Sequence, residues 1–290
     1  MQLYSIETGN FKLDGGAMFG VVPKSIWNKL NPADENNLCT WALSCMLIID
    51  GDRKILVDTG LGNKQDQKFF AHYQPSNTLS LKEALHPHSL KVEDITDVLL
   101  THLHFDHVGG AIEYKDGQLV TVFPNATYWV SEPQWNLAIS PNKREKASFL
   151  KENIEPLLTA GQLKLISVPP YQGQQNLQEI HFTENISCLV VHGHTQCMLL
   201  PKIQTTKGTL VYMADLLPST GHIPIPYVMG YDMQPLVTLN EKEMFLQEAI
   251  QKNYTLFFEH DPVNECCSLQ VTEKGIRVLD TFSLATWMGA

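Results

Sequence analysis

Residues 39–60 first alternate apolar and polar side chains and then run continuously apolar through Cys45-Met-Leu-Ile-Ile49 and Ile55-Leu-Val57. That pattern predicts strands, and residues 3–14 read the same way. Short apolar runs at 95–100, 128–130, 186–191, 208–215 and 256–258 predict further strands. Leu79, Leu81, Ala84 and Leu85 fall at helical spacing and predict a short helix over 80–87. Residues 132–138 and 145–159 also predict helices, the second ending at Gly161. Leu239, Met244, Phe245, Ala249 and Ile250 mark an amphipathic helix over 239–252. Strands crowd the stretch 163–215. No repeat, low-complexity tract or linker interrupts the pattern, so one domain over 1–290 is the economical expectation, with 1–37 as an N-terminal arm.

Several of these strands end on side chains that bind metals. The run ending at Leu100 leads into Thr101-His-Leu-His-Phe-Asp-His107. His102 and His104 point the same way if the extended backbone continues. Asp106 and His107 face a second point only if the chain turns there, and Val108-Gly109-Gly110 permit a turn and a close backbone approach. A structural zinc site would be richer in cysteine, and none lies between Cys45 and Cys188. A histidine- and carboxylate-rich set suits a catalytic site with an open position instead. Elsewhere, strand-like runs deliver His194 (in Gly193-His194-Thr195), Asp215 and His260 at their C-terminal ends. Such ends can converge on one edge of a sheet.

Residues 101–107 resemble the His-x-His-x-Asp-His signature of the metallo-β-lactamase superfamily. Gly193-His194-Thr195, Asp215 and His260 follow in that family's order, and Leu56-Val-Asp-Thr-Gly60 resembles its earlier strand-turn element. The resemblance spans about residues 40 to 265. Softer motifs, Asp14-Gly-Gly-Ala-Met-Phe-Gly-Val-Val-Pro-Lys24 with Trp27 and Pro32, and Tyr231-Asp232 with Pro235, resemble the lactonase and methyl-parathion-hydrolase-like branch. The resemblance implies an α/β fold, a four-layer αββα sandwich. It implies one ion on His102, His104 and His194, a second on Asp106, His107 and His260, and Asp215 bridging both.

Two divalent ions, zinc above all, with manganese, iron or cobalt as alternatives, suit these donors. Such a pair, roughly 3.5–4 Å apart, generates a bridging hydroxide near neutral pH and polarises a carbonyl or phosphoryl oxygen. The implied activity is hydrolysis of a lactone or of a carboxylic or phosphoric ester. Asp106 is the expected proton donor to the leaving oxygen. Asp58 is the expected residue that orients a ligand histidine, with a simple turn role as the competing explanation. The alternatives are a mononuclear iron enzyme resembling persulfide dioxygenases and a non-catalytic metalloprotein on the same fold.

Phe19, Trp27, Trp135, His222, Ile223 and Tyr227 are the candidate substrate-pocket formers, although aromatic residues at such places more often belong to the core. His222 is expected to bond within its own loop. Homoserine-lactone lactonases often carry a tyrosine three residues after the bridging aspartate. Pro218 stands there instead, which disfavours that substrate. Gly-His-Thr usually continues Pro-Gly; Gln196-Cys197 here implies an altered turn.

Composition narrows the functional classes. The 290 residues are 43% hydrophobic and 18% charged, enough for a full core. Net charge is −10, which argues against nucleic acid as substrate. The six cysteines show no Cys-x-x-Cys spacing and are expected to be reduced thiols in a cytoplasmic protein. The first residues show neither a signal-peptide pattern nor a membrane span. A small-molecule substrate is expected, and the branch resemblance points to a homodimer.

Overall fold

The computed structural model of the protein describes residues 1–170 and 176–289. Its contacts group the chain into two compact units, residues 1–11 with 43–168, and residues 12–42 with 169–290.

The first unit holds a six-stranded sheet, apart from residues 12–14 and 38–42 of its first two strands. Its strands are β1 (Gln2–Asp14), β2 (Leu38–Asp50), β3 (Arg53–Val57), β4 (Asp97–Leu99), β7 (Thr127–Ser131) and β8 (Leu163–Ile166), paired in that order, with β5 (Ile112–Lys115) and β6 (Gln118–Thr121) forming a separate hairpin. The 39–60 run is thus two strands folded back at Gly51-Asp52, antiparallel, with Ile48 opposite Ile55. β3, β4 and β7 are parallel, with Val57 beside Leu99 and Leu99 beside Trp129. Parallel register brings the C-terminal ends of β3 and β4 to the same edge, and the chemistry-bearing turns after Val57 and Leu99 start there. Leu47, Leu56, Val98, Tyr128, Ile154 and Trp135 belong to one buried cluster.

Helices expected in this unit occur at Leu81–Leu85, Glu132–Ile139 and Lys151–Thr159. The last is shorter than the predicted 145–159. The Asn142 side-chain oxygen accepts from the backbone N–H groups of Arg144 and Glu145, both at 2.9 Å, and this local bonding replaces a helical start. Pro156 lies inside the remaining turns. The helix Gln67–Tyr73 was not legible from periodicity; Asp66 caps it, accepting from Phe69 N.

The second unit carries a seven-stranded sheet: β9 (Gln178–His181), β10 (Ile186–Val191), β11 (Met198–Thr205), β12 (Gly208–Tyr212), β13 (Thr255–Phe257), β14 (Cys266–Thr272) and β15 (Gly275–Phe282), in spatial order from β9 to β15. All neighbours are antiparallel except β12 and β13, where Tyr212 sits beside Phe257. That one parallel pair again sends two strand ends, towards Asp215 and His260, to one edge. The hairpin β14–β15 was not anticipated. Of the expected strand-rich stretch 163–215, residues 171–175 lie outside the described residues.

Helix Pro235–Lys252 begins four residues earlier than its apolar spacing predicted, because Pro235 supplies a pre-set first turn. Two of its side chains reach into loops. Glu241 accepts from His192 N at 2.7 Å and Gly193 N at 3.0 Å, and Lys242 donates to the carbonyls of Pro224, Ile225 and Tyr227. Within the segment expected as an arm, Phe11, Phe19 and Trp27 are buried by the chain itself. Among the described residues no helix is long and apolar enough to cross a membrane.

Candidate functional site

In the first unit, β3 ends at Val57 and Asp58 takes a left-handed backbone, φ +57°. That conformation is uncommon outside glycine and turns the carboxylate across to the next strand end. Its oxygens accept from Thr101 N at 2.8 Å and Thr101 Oγ1 at 2.7 Å, and Oδ2 lies 3.1 Å from His107 Nδ1. Asp58 is therefore both a turn residue and a partner of a candidate ligand. Past the strand, His104 has an extended backbone and the chain then makes one helical turn, Phe105–Val108, so Asp106 and His107 leave the strand direction as expected. The glycines make the close approach possible. A Cβ on Gly109 would lie 2.0 Å from Leu61 O, and one on Gly110 would lie 2.1 Å from Thr59 O.

The four side chains lie close together, with the His102 ring centroid 4.5 Å from that of His104 and 3.9 Å from that of His107. Ligand atoms of His102 and His104 lie within 4.8 Å of each other, as do those of Asp106 and His107. His102 Nε2 and His104 Nδ1 are 3.0 Å apart. The opposite nitrogens have partners: His102 Nδ1 sits 3.1 Å from Thr101 Oγ1, and His104 Nε2 sits 3.3 Å from Glu145 Oε1. All four ligand-type side chains are buried.

The second unit repeats this arrangement at its own strand ends. His194 Nδ1 is 2.9 Å from Asp232 Oδ1, and His260 Nδ1 donates to Ala42 O at 2.8 Å. The two Nε2 atoms each face one oxygen of Asp215, at 3.0 Å from His194 to Oδ2 and 3.3 Å from His260 to Oδ1. Ala214, just before that carboxylate, is held at φ +41°. Burial alone would depress the basicity of His194. The carboxylates of Asp215 and Asp232 outweigh it and lift the imidazole to about 10. The pocket around this histidine is an environment that favours positive charge. Cys197 carries the altered turn after Gly193-His194-Thr195, with φ +55°.

Five imidazoles thus each present one nitrogen while a neighbour holds the other. This is the pattern expected of metal-binding histidines, whose second nitrogen is fixed by a carboxylate, hydroxyl or carbonyl. With Asp106 and Asp215 the donor set is imidazole and carboxylate throughout, which fits divalent ions of the zinc class. Glu145, Asp232 and the Ala42 carbonyl were missed as partners. Their only sequence signals were a glutamate in an expected helix and the Tyr231-Asp232 pair.

The candidate pocket residues separate. Trp135 sits in the first unit's hydrophobic cluster. The other five belong to the second unit. Phe19 stacks on Trp27 (5.5 Å between ring centroids) and on His222 (4.5 Å) and meets Tyr227 edge-on at 6.4 Å. Phe19, Trp27 and His222 are buried in that stack. His222 bonds Ser219 Oγ at 2.8 Å and Met18 O at 2.9 Å, and burial holds its basicity down to about 3. Ile223 and Tyr227 face a cleft.

The comparisons with known proteins agree with this construction. A family model described as the metallo-beta-lactamase superfamily matches residues 41–260. No curated protein sequence gave a significant match. Among solved structures, a probable metal-dependent hydrolase from Staphylococcus aureus is 27% identical, with a TM-score of 0.84 over 97% of this chain and 98% of that one. The dizinc quorum-quenching lactonase AidC is 20% identical, with a TM-score of 0.75 over 97% and 94%. The hydrolase AbOPH, of the beta lactamase superfamily, is 21% identical, with a TM-score of 0.72 over 97% and 94%. The strand-end histidines and aspartates, the α/β fold and the family match lead to one conclusion: the chain belongs to the metallo-β-lactamase superfamily.

Proposed function

We propose that this protein is a dinuclear metal-dependent hydrolase that opens a lactone or cleaves a carboxylic or phosphoric ester. The observation that carries the proposal is the fixing of all five imidazoles through one nitrogen each. His102, His104 and His194 would hold one ion, Asp106, His107 and His260 the other, and Asp215 would bridge them. When bound, two divalent ions supply an activated water near neutral pH and a Lewis acid for the reacting oxygen. Zinc is the proposed metal.

The chain's own residues supply the remainder. Asp58, Glu145, Asp232 and the Ala42 carbonyl fix the tautomers and directions of the imidazoles, so the ligands need little reorganisation on loading. Asp106, in the first turn of its short helix, passes the proton taken from the attacking water to the leaving oxygen as the acyl C–O or P–O bond breaks. A lactone thereby gives a hydroxy acid. Lactonase character is supported by the likeness to AidC and to an N-acyl homoserine lactone hydrolase described with N-hexanoyl-L-homoserine at its catalytic metal centre. Pro218 directs the proposal towards other lactones and aryl esters. The lactonase branch, a small-molecule substrate, one functional domain over 1–290 and a homodimer are proposed with it. So is a reducing, cytoplasmic setting, which the six buried free thiols suit.

The test is a hydrolysis panel on metal-reconstituted protein, combined with metal analysis. It would include aliphatic and acyl-homoserine lactones, aryl esters, phosphotriesters, β-lactams and glutathione thioesters. Turnover of lactones or aryl esters with two ions per chain is expected. One iron per chain with sulfur-oxidising activity, or full hydrolysis by metal-free protein, would overturn the proposal.

A further inference from the structure

The second unit contains a cleft of ≈ 750 Å³ whose lining charges oppose those of the whole chain. The protein carries a net −10, yet Lys29, Lys274 and Arg277 all line this cleft. Among the described residues one carboxylate, Asp261, lines it too, and it is engaged by its own loop and by Thr220. Oδ1 accepts from Val263 N at 2.9 Å and Asn264 N at 2.8 Å, and Oδ2 accepts from Thr220 N at 2.9 Å and Thr220 Oγ1 at 2.6 Å. Three cations against one internally satisfied anion leave the cleft positive.

The same cleft is also lined by the apolar side chains of Leu30, Pro32, Ile223, Tyr227 and Val278. Its volume falls in the range of small-molecule sites, about 300–1,000 Å³. The half-buried Arg277 donates from Nη1 to Ile276 O, one of its five N–H groups. Its planar fork suits a carboxylate accepted two bonds at a time.

Lining residues of the cleft are tied down. Lys242 donates to the carbonyls of Pro224 and Tyr227, which line it, and of Ile225 between them. Gly221 is packed against Asn31, where a Cβ would lie 2.7 Å from Oδ1. Both anchors keep the lining in place before any ligand arrives. None of the seven proposed metal ligands lines this cleft.

We propose that this cleft is a second binding site, which takes a small amphipathic carboxylate. The acid head lies on Arg277, Lys274 and Lys29, and the aliphatic chain lies along Ile223, Tyr227 and Val278. The site does not depend on the metal ligands for its affinity.

Calorimetric titration of the full-length, metal-loaded protein with octanoate and with octanol tests this. Octanoate should bind more tightly than octanol and weaken as ionic strength rises. The double variant Lys274→Ala/Arg277→Ala should lose octanoate affinity by about tenfold or more, the usual consequence of removing charge-assisted hydrogen bonds. Its thermal transition should match that of the unsubstituted protein, since the Arg277 guanidinium donates to the carbonyl of its own neighbour Ile276 and Lys274 is exposed. Asp215→Ala should bind octanoate as the parent does. Equal binding of octanol and octanoate would overturn the proposal. So would octanoate binding that survives the double variant but disappears in Asp215→Ala, because the acid would then be sitting at the metal ligands.

Discussion

Asp232 places its Oδ1 2.9 Å from His194 Nδ1 across 38 residues of sequence, and both side chains are buried. The contact fixes which nitrogen of His194 turns towards Asp215. Asp232→Asn keeps the shape and loses the charge. It should weaken metal retention by about 10–100-fold, the usual effect of losing a ligand's orienting partner. Metal content after graded chelation, compared with the parent, checks this; unchanged retention would show that Asp232 does not orient His194.

Asp58 performs three bonds from a left-handed backbone, so two substitutions separate its roles. Asparagine tolerates that backbone and keeps the bond from Thr101 N, whereas alanine loses every bond and adds strain. Asp58→Ala should cost about 3 kcal/mol of folding stability and Asp58→Asn clearly less, since hydrogen bonds to a charged group are worth about 1.5–3 kcal/mol each. Both should lower metal affinity through His107. Denaturant unfolding and metal titration read the two effects independently.

Lys242 and Glu241 give stability opposite dependences on pH. Burial pulls the Lys242 ammonium down to about 7, against 10.5 when unfolded. Between those values the unfolded chain binds more protons at this group, so its contribution makes stability rise with pH. Burial raises Glu241 to about 7 from 4.5, despite the two backbone N–H bonds it accepts. The folded chain then holds the extra proton, and stability falls as pH rises from 4.5 towards 7. Lys242→Met should remove the upward slope above pH 7 in thermal melts, and Glu241→Gln should remove the downward one below it.

Trp135 and Tyr227 were both candidate pocket formers and should behave differently. Trp135→Ala opens the first unit's core and should cost about 3–5 kcal/mol, with metal content unchanged. Tyr227 is only partly buried and lines the charged cleft, so Tyr227→Ala should cost far less stability and act on octanoate binding instead. Denaturant midpoints for the two variants provide the comparison.

Metal removal should lower the melting temperature, and stoichiometric zinc should restore it, because a ligand bound only by the folded chain stabilises it by mass action. His194, whose elevated basicity reflects Asp215 and Asp232, should show its imidazolium only in the apo protein. Imidazole NMR shifts recorded with and without zinc would show whether it does.

The local sequence determined the parts of this protein that depend on nearby residues. An apolar run followed by Thr101–His107 and two glycines specifies a strand, a turn and four donors, because side-chain direction follows backbone periodicity over a few residues. The strand ends carrying His194, Asp215 and His260 were legible for the same reason. Pairing across the chain was not. Asp232 is 38 residues from His194, Glu145 is 41 from His104, and Ala42 is 218 from His260. Little local marks such partners beyond the Tyr231-Asp232 pair, since a glutamate and a strand carbonyl are ordinary until register and loop packing bring them to a ring nitrogen. Pocket and core were likewise inseparable in sequence. Phe19, Trp27 and Trp135 are apolar in either setting, and only the tertiary packing decided that they are buried while Tyr227 and Arg277 face the cleft.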